Sequence, residues 1–219
     1  MMVIFILALF LPLYASMKVQ ANFSKYSKVA NSKNITGAQA ARVILDRNGL
    51  QDVDIEGIRG QLTDHYSPNE KILRLSEPVL QANTISAIAV AAHEVGHAIQ
   101  DKESYSPMRM RSFLVPLAHI GSRLSYIFII GGLFTQITRL FDIGIFAFSL
   151  AVLFYIITLP VEINASSRAL DQLSSNGLVT NEERGAAKKV LSAAALTYIA
   201  SALTAVFQLL RLLSLRSRD

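Results

Sequence analysis

A histidine–glutamate–x–x–histidine pattern lies in the stretch AVAAHEVGHAIQDK, residues 89–102. On a helix, His93 and His97 lie one turn apart on the same face, so both imidazoles can bind one zinc ion. From the position after the first histidine, Glu94 can take a proton from a zinc-activated water that attacks a carbonyl. Small apolar residues surround the motif, where imidazoles without partners would be costly and a metal would satisfy them. The pattern therefore predicts a metal hydrolase.

A third ligand has to come from elsewhere in the chain, because a catalytic zinc site usually has three protein ligands and one open position. The metzincin continuation is absent after His97. Glu162 is our candidate because it follows the uncharged run 143–161, where a carboxylate without a partner is costly. The chain would also leave the motif side in one apolar segment and return in the next, just before Glu162. Asp171 is the alternative, and two imidazoles with one carboxylate suit zinc.

The segments that position these residues are strongly apolar, with 52% hydrophobic and 17% charged residues in the chain. A membrane-spanning helix needs about 20 mostly apolar residues, and four segments qualify: 1–17, 112–138 (interrupted by Arg123), 143–161 and 190–210. We interpret the first as an uncleaved anchor, since nothing basic precedes Lys18, with a cleaved signal peptide as the alternative. A buried core helix is the alternative for the last.

Between the first two apolar segments, the polar region predicts a mixed structure. We expect a helix from Thr36, a strand in DVDIEGI (52–58), and a hairpin that returns as KILRLS (71–76). KILRLS could be an edge strand along which an extended peptide pairs. His65 or Tyr66, just before the hairpin turn, could donate a hydrogen bond to a developing oxyanion, although both could simply belong to the hairpin.

The fold class predicted from these elements is mainly α with a small β-sheet, in a multi-pass membrane protein. The predicted domains are an anchor (1–17), a catalytic region with the sheet and the motif helix (18–111), two membrane segments (112–161), a third-ligand and connecting region (162–189), and a C-terminal membrane helix with a basic tail (190–219). The absence of cysteine excludes disulfides and cysteine-ligated zinc. The net charge of +5 is not gathered into one stripe, so we expect no nucleic-acid partner.

Several separate stretches resemble the neutral zinc metallopeptidases of bacterial membranes, the YugP-type family. They are, in order, LTDHYSPNEKILRLS, AVAAHEVGHAIQ, RSFLVPLAHIGS and LPVEINASSRALDQL. The resemblance extends from about Lys25 to beyond Leu191. It implies a multi-pass membrane gluzincin, distantly related to the membrane heat-shock and CAAX-processing zinc proteases. It also implies zinc ligation by His93, His97 and Glu162, with Glu94 as the catalytic glutamate.

One position departs from the wider gluzincin pattern, which often has an aspartate four residues after the ligand glutamate to support a histidine. Ser166 stands there in this chain. Because metal-bound histidines usually need such an acceptor, another residue has to orient them, and the candidates are Asp101, Asn164 and Asp171. Arg168 could pair with a carboxylate near the site.

The function expected from the sequence is that of a membrane-integral, zinc-dependent endopeptidase. Its partners would be polypeptide substrates, including membrane proteins, and the lipid bilayer. The alternatives are a zinc hydrolase of another amide or acyl substrate, and an inactive membrane scaffold with a structural metal. More lysines and arginines flank the apolar segments on the motif side than on the other, which favours a cytoplasmic catalytic side of the cell membrane. The basic C-terminal tail argues for the opposite orientation.

Overall fold

A computed structural model describes the backbone of residues 2–216 and the side chains of residues 10–216. Over that range the chain forms mainly helices with one small sheet, which confirms the predicted content of helix and strand. The elements are α1 (Met2–Tyr26), α2 (Gly37–Arg47), β1 (Asp54–Ile58), β2 (His65–Ser67), β3 (Ile72–Ser76), α3 (Glu77–Leu80), α4 (Ile85–Lys102), α5 (Ser106–Thr135), α6 (Thr138–Ser175) and α7 (Asn181–Arg216).

The sheet has the strand order β1-β3-β2, with β3 parallel to β1 and antiparallel to β2. The predicted strand in DVDIEGI and the hairpin are therefore confirmed. The prediction that KILRLS is an edge strand is wrong, because β1 pairs with the side of β3 that the hairpin leaves open. The unpaired edges of this sheet belong to β1 and β2, so a peptide that adds a strand would have to pair with one of those two.

Local capping signals fix the helices beside the sheet. Thr36 caps the start of α2, as expected from the sequence, and forms a reciprocal capping box with Gln39. The side chain of Thr84 accepts a hydrogen bond from the backbone N–H of Ala87 at the start of α4. Helix α4 packs against α2, α3 and two strands, and almost all of its residues are buried. Packing against these four elements therefore fixes the position and the rotation of the helix that carries the motif.

Helices α5, α6 and α7 are long and apolar enough to cross a membrane. Many large apolar side chains are exposed on them, including Phe134 at 87% and Phe113 at 72%. An apolar surface of this extent suits contact with lipid. The predicted second segment, 112–138, extends too far, because α5 ends at Thr135. The predicted anchor is helical, but the side chains of residues 2–9 lie outside the described set, and its membrane insertion stays a prediction.

The chain divides into two compact units. One comprises residues 1–14, 106–160 and 197–219, and the other comprises residues 15–105 and 161–196. In the first unit, Phe148, Val152 and Ala205 form a buried cluster between α6 and α7. The second unit contains the sheet, the motif and Glu162. The third-ligand region thus folds with the polar region from which it is distant in sequence.

Within the second unit, α4 and the last part of α6 approach closely at Gly96. A Cβ added there would lie 2.7 Å from the carbonyl oxygen of Ala165, whereas a Cβ at Gly185 of α7 would meet nothing within 4 Å. We expect Gly96→Ala to destabilise the protein by about 1–3 kcal/mol through overpacking. Gly185→Ala, the matched control, should stabilise it by about 0.5–1 kcal/mol, because alanine favours helix. Denaturant unfolding of both variants in detergent measures this, and a stabilised Gly96→Ala would contradict the close approach.

Candidate metal centre

Two imidazoles from α4 and one carboxylate from α6 converge in the second unit. The Nε2 atom of His93 lies 3.2 Å from Oε2 of Glu162, and Nε2 of His97 lies 3.6 Å from the same oxygen. One nitrogen or oxygen atom from each of the three residues lies within 4.8 Å of the others. All three residues are buried, and Glu162 is only 1% exposed. The helix spacing of the two histidines and the return of α6 thus bring these side chains together, as expected from the sequence.

The donor set and its spacing fit a zinc ion. Ligands bound at about 2.1 Å in tetrahedral geometry lie about 3.4 Å from one another. The two nitrogen–oxygen distances of 3.2 and 3.6 Å bracket that value. Two neutral imidazoles and a carboxylate are also a common zinc ligand set. The residues present therefore fit a zinc ion in both their chemistry and their spacing.

Glu94 is buried beside this cluster. Burial raises the pKa of its carboxyl group, the positive charge available on His93 and His97 opposes the rise, and the nearby carboxylates of Glu162 and Asp64 add to it. A carboxyl group whose pKa is shifted upward accepts a proton more readily near neutral pH than an exposed glutamate does. Its setting therefore suits proton transfer.

A chain of hydrogen bonds fixes the proton of His97. The guanidinium of Arg168, which can only donate, donates from Nε to Oδ1 of Asn164 at 2.7 Å. Gln100 donates from its amide nitrogen to the same oxygen at 2.9 Å and to the carbonyl of Val161 at 2.8 Å. The amide oxygen of Gln100 therefore faces Nδ1 of His97, 3.0 Å away, and accepts its N–H. A neutral His97 therefore carries its proton on Nδ1, and its Nε2 is the nitrogen able to bind a metal.

Ser166 plays the corresponding part for the other imidazole. Its Oγ lies 3.2 Å from Nδ1 of His93, so that the hydroxyl can accept the N–H there and leave Nε2 of His93 bare. The serine at the position where the wider pattern has an aspartate thus contacts a histidine all the same. Of the two residues that orient the imidazoles, the sequence pointed to this position but not to Gln100.

Gln100 was missed because its signal is weak. It lies three residues after His97, on the same helix face, and it is completely buried although Asp101 and Lys102 follow it directly in sequence. A buried amide needs several partners, and this requirement could have identified it. Of the candidates Asp101, Asn164 and Asp171, only Asn164 takes part, and it acts through Gln100.

The remaining predicted site residues make other contacts. The hydroxyl of Tyr66 donates to Asp101 at 2.9 Å, and Lys71 approaches the same oxygen at 2.7 Å. Burial and the Asp101 carboxylate both raise the pKa of Tyr66, so its hydroxyl stays protonated. Nδ1 of His65 lies 2.9 Å from the carbonyl oxygen of Thr63. The role of His65 or Tyr66 at an oxyanion stays a prediction.

Two further residues have clear partners. Asp171, the alternative third ligand, faces Arg184 at 3.7 Å, and 69% of its side chain is exposed. Arg168 pairs with Glu103 at 2.7 Å, which confirms that it binds a carboxylate. Glu103 is the residue that follows α4, so this ion pair ties the end of the motif helix to α6.

The comparisons with known proteins agree with this geometry. The chain is 50% identical over 216 residues to a protein of Bacillus subtilis (strain 168) named "Putative membrane protease YugP", and the match covers 98% of this chain and 96% of that protein. No solved structure matches the chain. The family model described as "Putative neutral zinc metallopeptidase" matches residues 1–217. The chain therefore belongs to this zinc metallopeptidase family.

Proposed function

We propose that this protein is a membrane-integral, zinc-dependent endopeptidase with a gluzincin-like core. The observation that carries the proposal is the buried cluster of His93, His97 and Glu162, whose donor atoms lie within 4.8 Å of one another. Membership of a zinc metallopeptidase family and three apolar helices long enough to cross a bilayer support it. The substrates would be polypeptides, including those of the membrane.

Each residue of the site has a role in this proposal. Nε2 of His93, Nε2 of His97 and the carboxylate of Glu162 would hold the zinc ion. When bound there, zinc would act as a Lewis acid that polarises a peptide carbonyl and makes water a better nucleophile at neutral pH. Glu94 would take a proton from the attacking water on a carboxylate oxygen and then deliver it to the nitrogen of the leaving amine.

Two features favour an enzyme over a scaffold with a structural metal. Structural zinc sites normally have four protein ligands, whereas the cluster found among the described side chains has three. A second carboxyl group, that of Glu94, is also buried beside the cluster. Burying a carboxyl group costs free energy unless it has a partner or a function at that position. Hydrolysis of another amide or acyl substrate would use the same residues, and the assay below separates the two.

Zinc removal tests the proposal. The full chain, purified in a neutral detergent, is expected to contain about one zinc per molecule, as a three-ligand site implies. It should cleave β-casein or a quenched peptide library. Chelation should abolish cleavage, and one equivalent of zinc should restore it. Cleavage that persists in metal-free protein would refute zinc dependence. A zinc-loaded protein that hydrolyses esters but no peptides would refute the peptidase assignment.

Loss of the Gln100 amide is expected to weaken zinc binding. In Gln100→Leu the side chain keeps a similar volume, but Nδ1 of His97 loses its acceptor and the carbonyl of Val161 loses a donor. Groups that orient a metal-bound histidine typically contribute about 10–100-fold to metal affinity, and we expect a loss of that size. Competition with a fluorescent zinc chelator measures it. Unfolding of the metal-free variant is the control, and an unchanged zinc affinity would contradict the role of Gln100.

A further inference from the structure

A cavity of about 320 Å³ lies between the last part of α6 and the first part of α7, inside the second unit. Its apolar lining includes Ile163 and Leu191, and its polar lining includes Ser167, Asp171, Arg184 and Lys188. Ser166 also lines the cavity. Its hydroxyl contacts Nδ1 of His93, whereas Nε2 of the same imidazole faces Glu162. Ser166 therefore stands between the cavity and His93, and none of the three residues of the metal cluster lines the cavity.

The cavity lies where the apolar runs of both helices end. The uncharged run in α6 ends at Val161, and the uncharged run in α7 begins at Val190. At 1.5 Å per residue, Lys188 lies about 3 Å and Arg184 about 9 Å beyond the start of the second run. The headgroup layer on each side of a bilayer is about 5–8 Å thick. If the runs span the hydrocarbon core, Lys188 therefore stands at headgroup depth and Arg184 just beyond it, where its long side chain can extend back to the headgroups.

The charges of the lining favour an anion. Arg184 and Lys188 are four residues apart on one helix face, so both can approach one ligand. The carboxylate of Asp171 lies 3.7 Å from Arg184 and offsets part of its charge. Glu183, the acidic residue nearest in sequence, is turned away, because its carboxylate accepts from Ser32 and from the backbone N–H of Thr180. The lining therefore keeps an excess of one positive charge beside apolar side chains.

We propose that this cavity binds one anionic phospholipid of the surrounding leaflet. The phosphate would lie against Lys188 and Arg184, and the Ser167 hydroxyl is available to donate to a phosphate oxygen. The start of an acyl chain would cover Ile163, whose side chain is 51% exposed. Basic pockets between membrane helices bind lipid headgroups in this way. The proposal rests on the membrane location proposed above, and not on peptidase activity.

Lipid binding to the full chain in dodecyl maltoside tests this, with native mass spectrometry as the measurement. The probes are diheptanoyl phosphatidylglycerol, diheptanoyl phosphatidylcholine and glycerol 3-phosphate. We expect one phosphatidylglycerol to bind in clear preference to the other two. A cation near a membrane surface contributes enough that Lys188→Gln should weaken phosphatidylglycerol binding about fivefold. Asp171→Asn should strengthen it, because the carboxylate that offsets Arg184 is gone.

The matched control is Lys189→Gln, which removes the neighbouring exposed lysine, a residue outside the cavity lining. This variant should bind phosphatidylglycerol as the wild type does. Equal losses in Lys188→Gln and Lys189→Gln would overturn the site, as would equal binding of phosphatidylcholine. If glycerol 3-phosphate bound as well as phosphatidylglycerol, the proposal that the occupant is a lipid would be overturned. Because no outcome depends on cleavage, failure here is distinguishable from failure of the proposed function.

Discussion

Glu94→Gln is expected to lower kcat/KM for peptide cleavage by about 10²–10⁴-fold, the usual contribution of a positioned general base. The amide has nearly the shape of the carboxylate but cannot take a proton from water. Because Glu94 is buried and its pKa is raised, a neutral group at this position should not cost fold stability. The variant should also keep its zinc, because this carboxyl group is not part of the three-ligand cluster.

Peptide cleavage, zinc content and thermal unfolding, measured on the same preparation, check this prediction. Glu77→Gln is the control, because Glu77 is an exposed glutamate in the first turn of α3. That variant should match the wild type in all three measurements. Cleavage by Glu94→Gln at more than a tenth of the wild-type rate would contradict a role for Glu94 as the base. Loss of zinc in Glu94→Gln would instead indicate that Glu94 binds the metal.

Glu162→Gln is expected to remove most of the zinc affinity. Zinc binding by protein sites is worth about 10–16 kcal/mol, so the loss of one charged ligand among three should weaken affinity by about 10²–10⁴-fold. The substitution keeps the side-chain volume in a place that is 1% exposed, and the amide oxygen can still face the imidazoles. The effect on the fold should therefore be small compared with the effect on the metal.

The matched comparison is Asp171→Asn, which removes the other acidic candidate for third ligand. Its carboxylate faces Arg184 and is largely exposed, so zinc affinity should stay unchanged. Zinc affinity is measured by competition with a chelator of known strength, with unfolding of the metal-free proteins as the control for folding. If Glu162→Gln kept full zinc affinity and Asp171→Asn lost zinc affinity, Asp171 and not Glu162 would be the third ligand.

A structural feature can be predicted from the sequence when the residues that determine it are close together in the chain. The capping box at Thr36, the hairpin before β3 and the pairing of His93 with His97 on one helix face all arise within a few residues. The apolar runs of α6 and α7 are equally local, and their helices have the required length. These features were predictable because helix and strand periodicities act between near neighbours in the chain.

Other features depend on pairings between distant parts of the chain. The position of β3 in the sheet depends on where β1 pairs. The sequence of β1 does not show whether it pairs with β2 or with β3 of the hairpin. The partner of His97 was not predicted for a related reason. Gln100 carries no charge, and its role depends on Val161 and Asn164 of another helix.

The sequence by itself determined which residues could do chemistry and which segments could lie in lipid, because residue type, helix periodicity and the length of apolar runs need no knowledge of packing. Only the tertiary structure decided that Glu162, and not Asp171, lies beside His93, 69 residues earlier in the chain. It also decided that Ser166 and Gln100 support the imidazoles. Contacts across such separations follow from how helices pack, and packing depends on the whole chain at once.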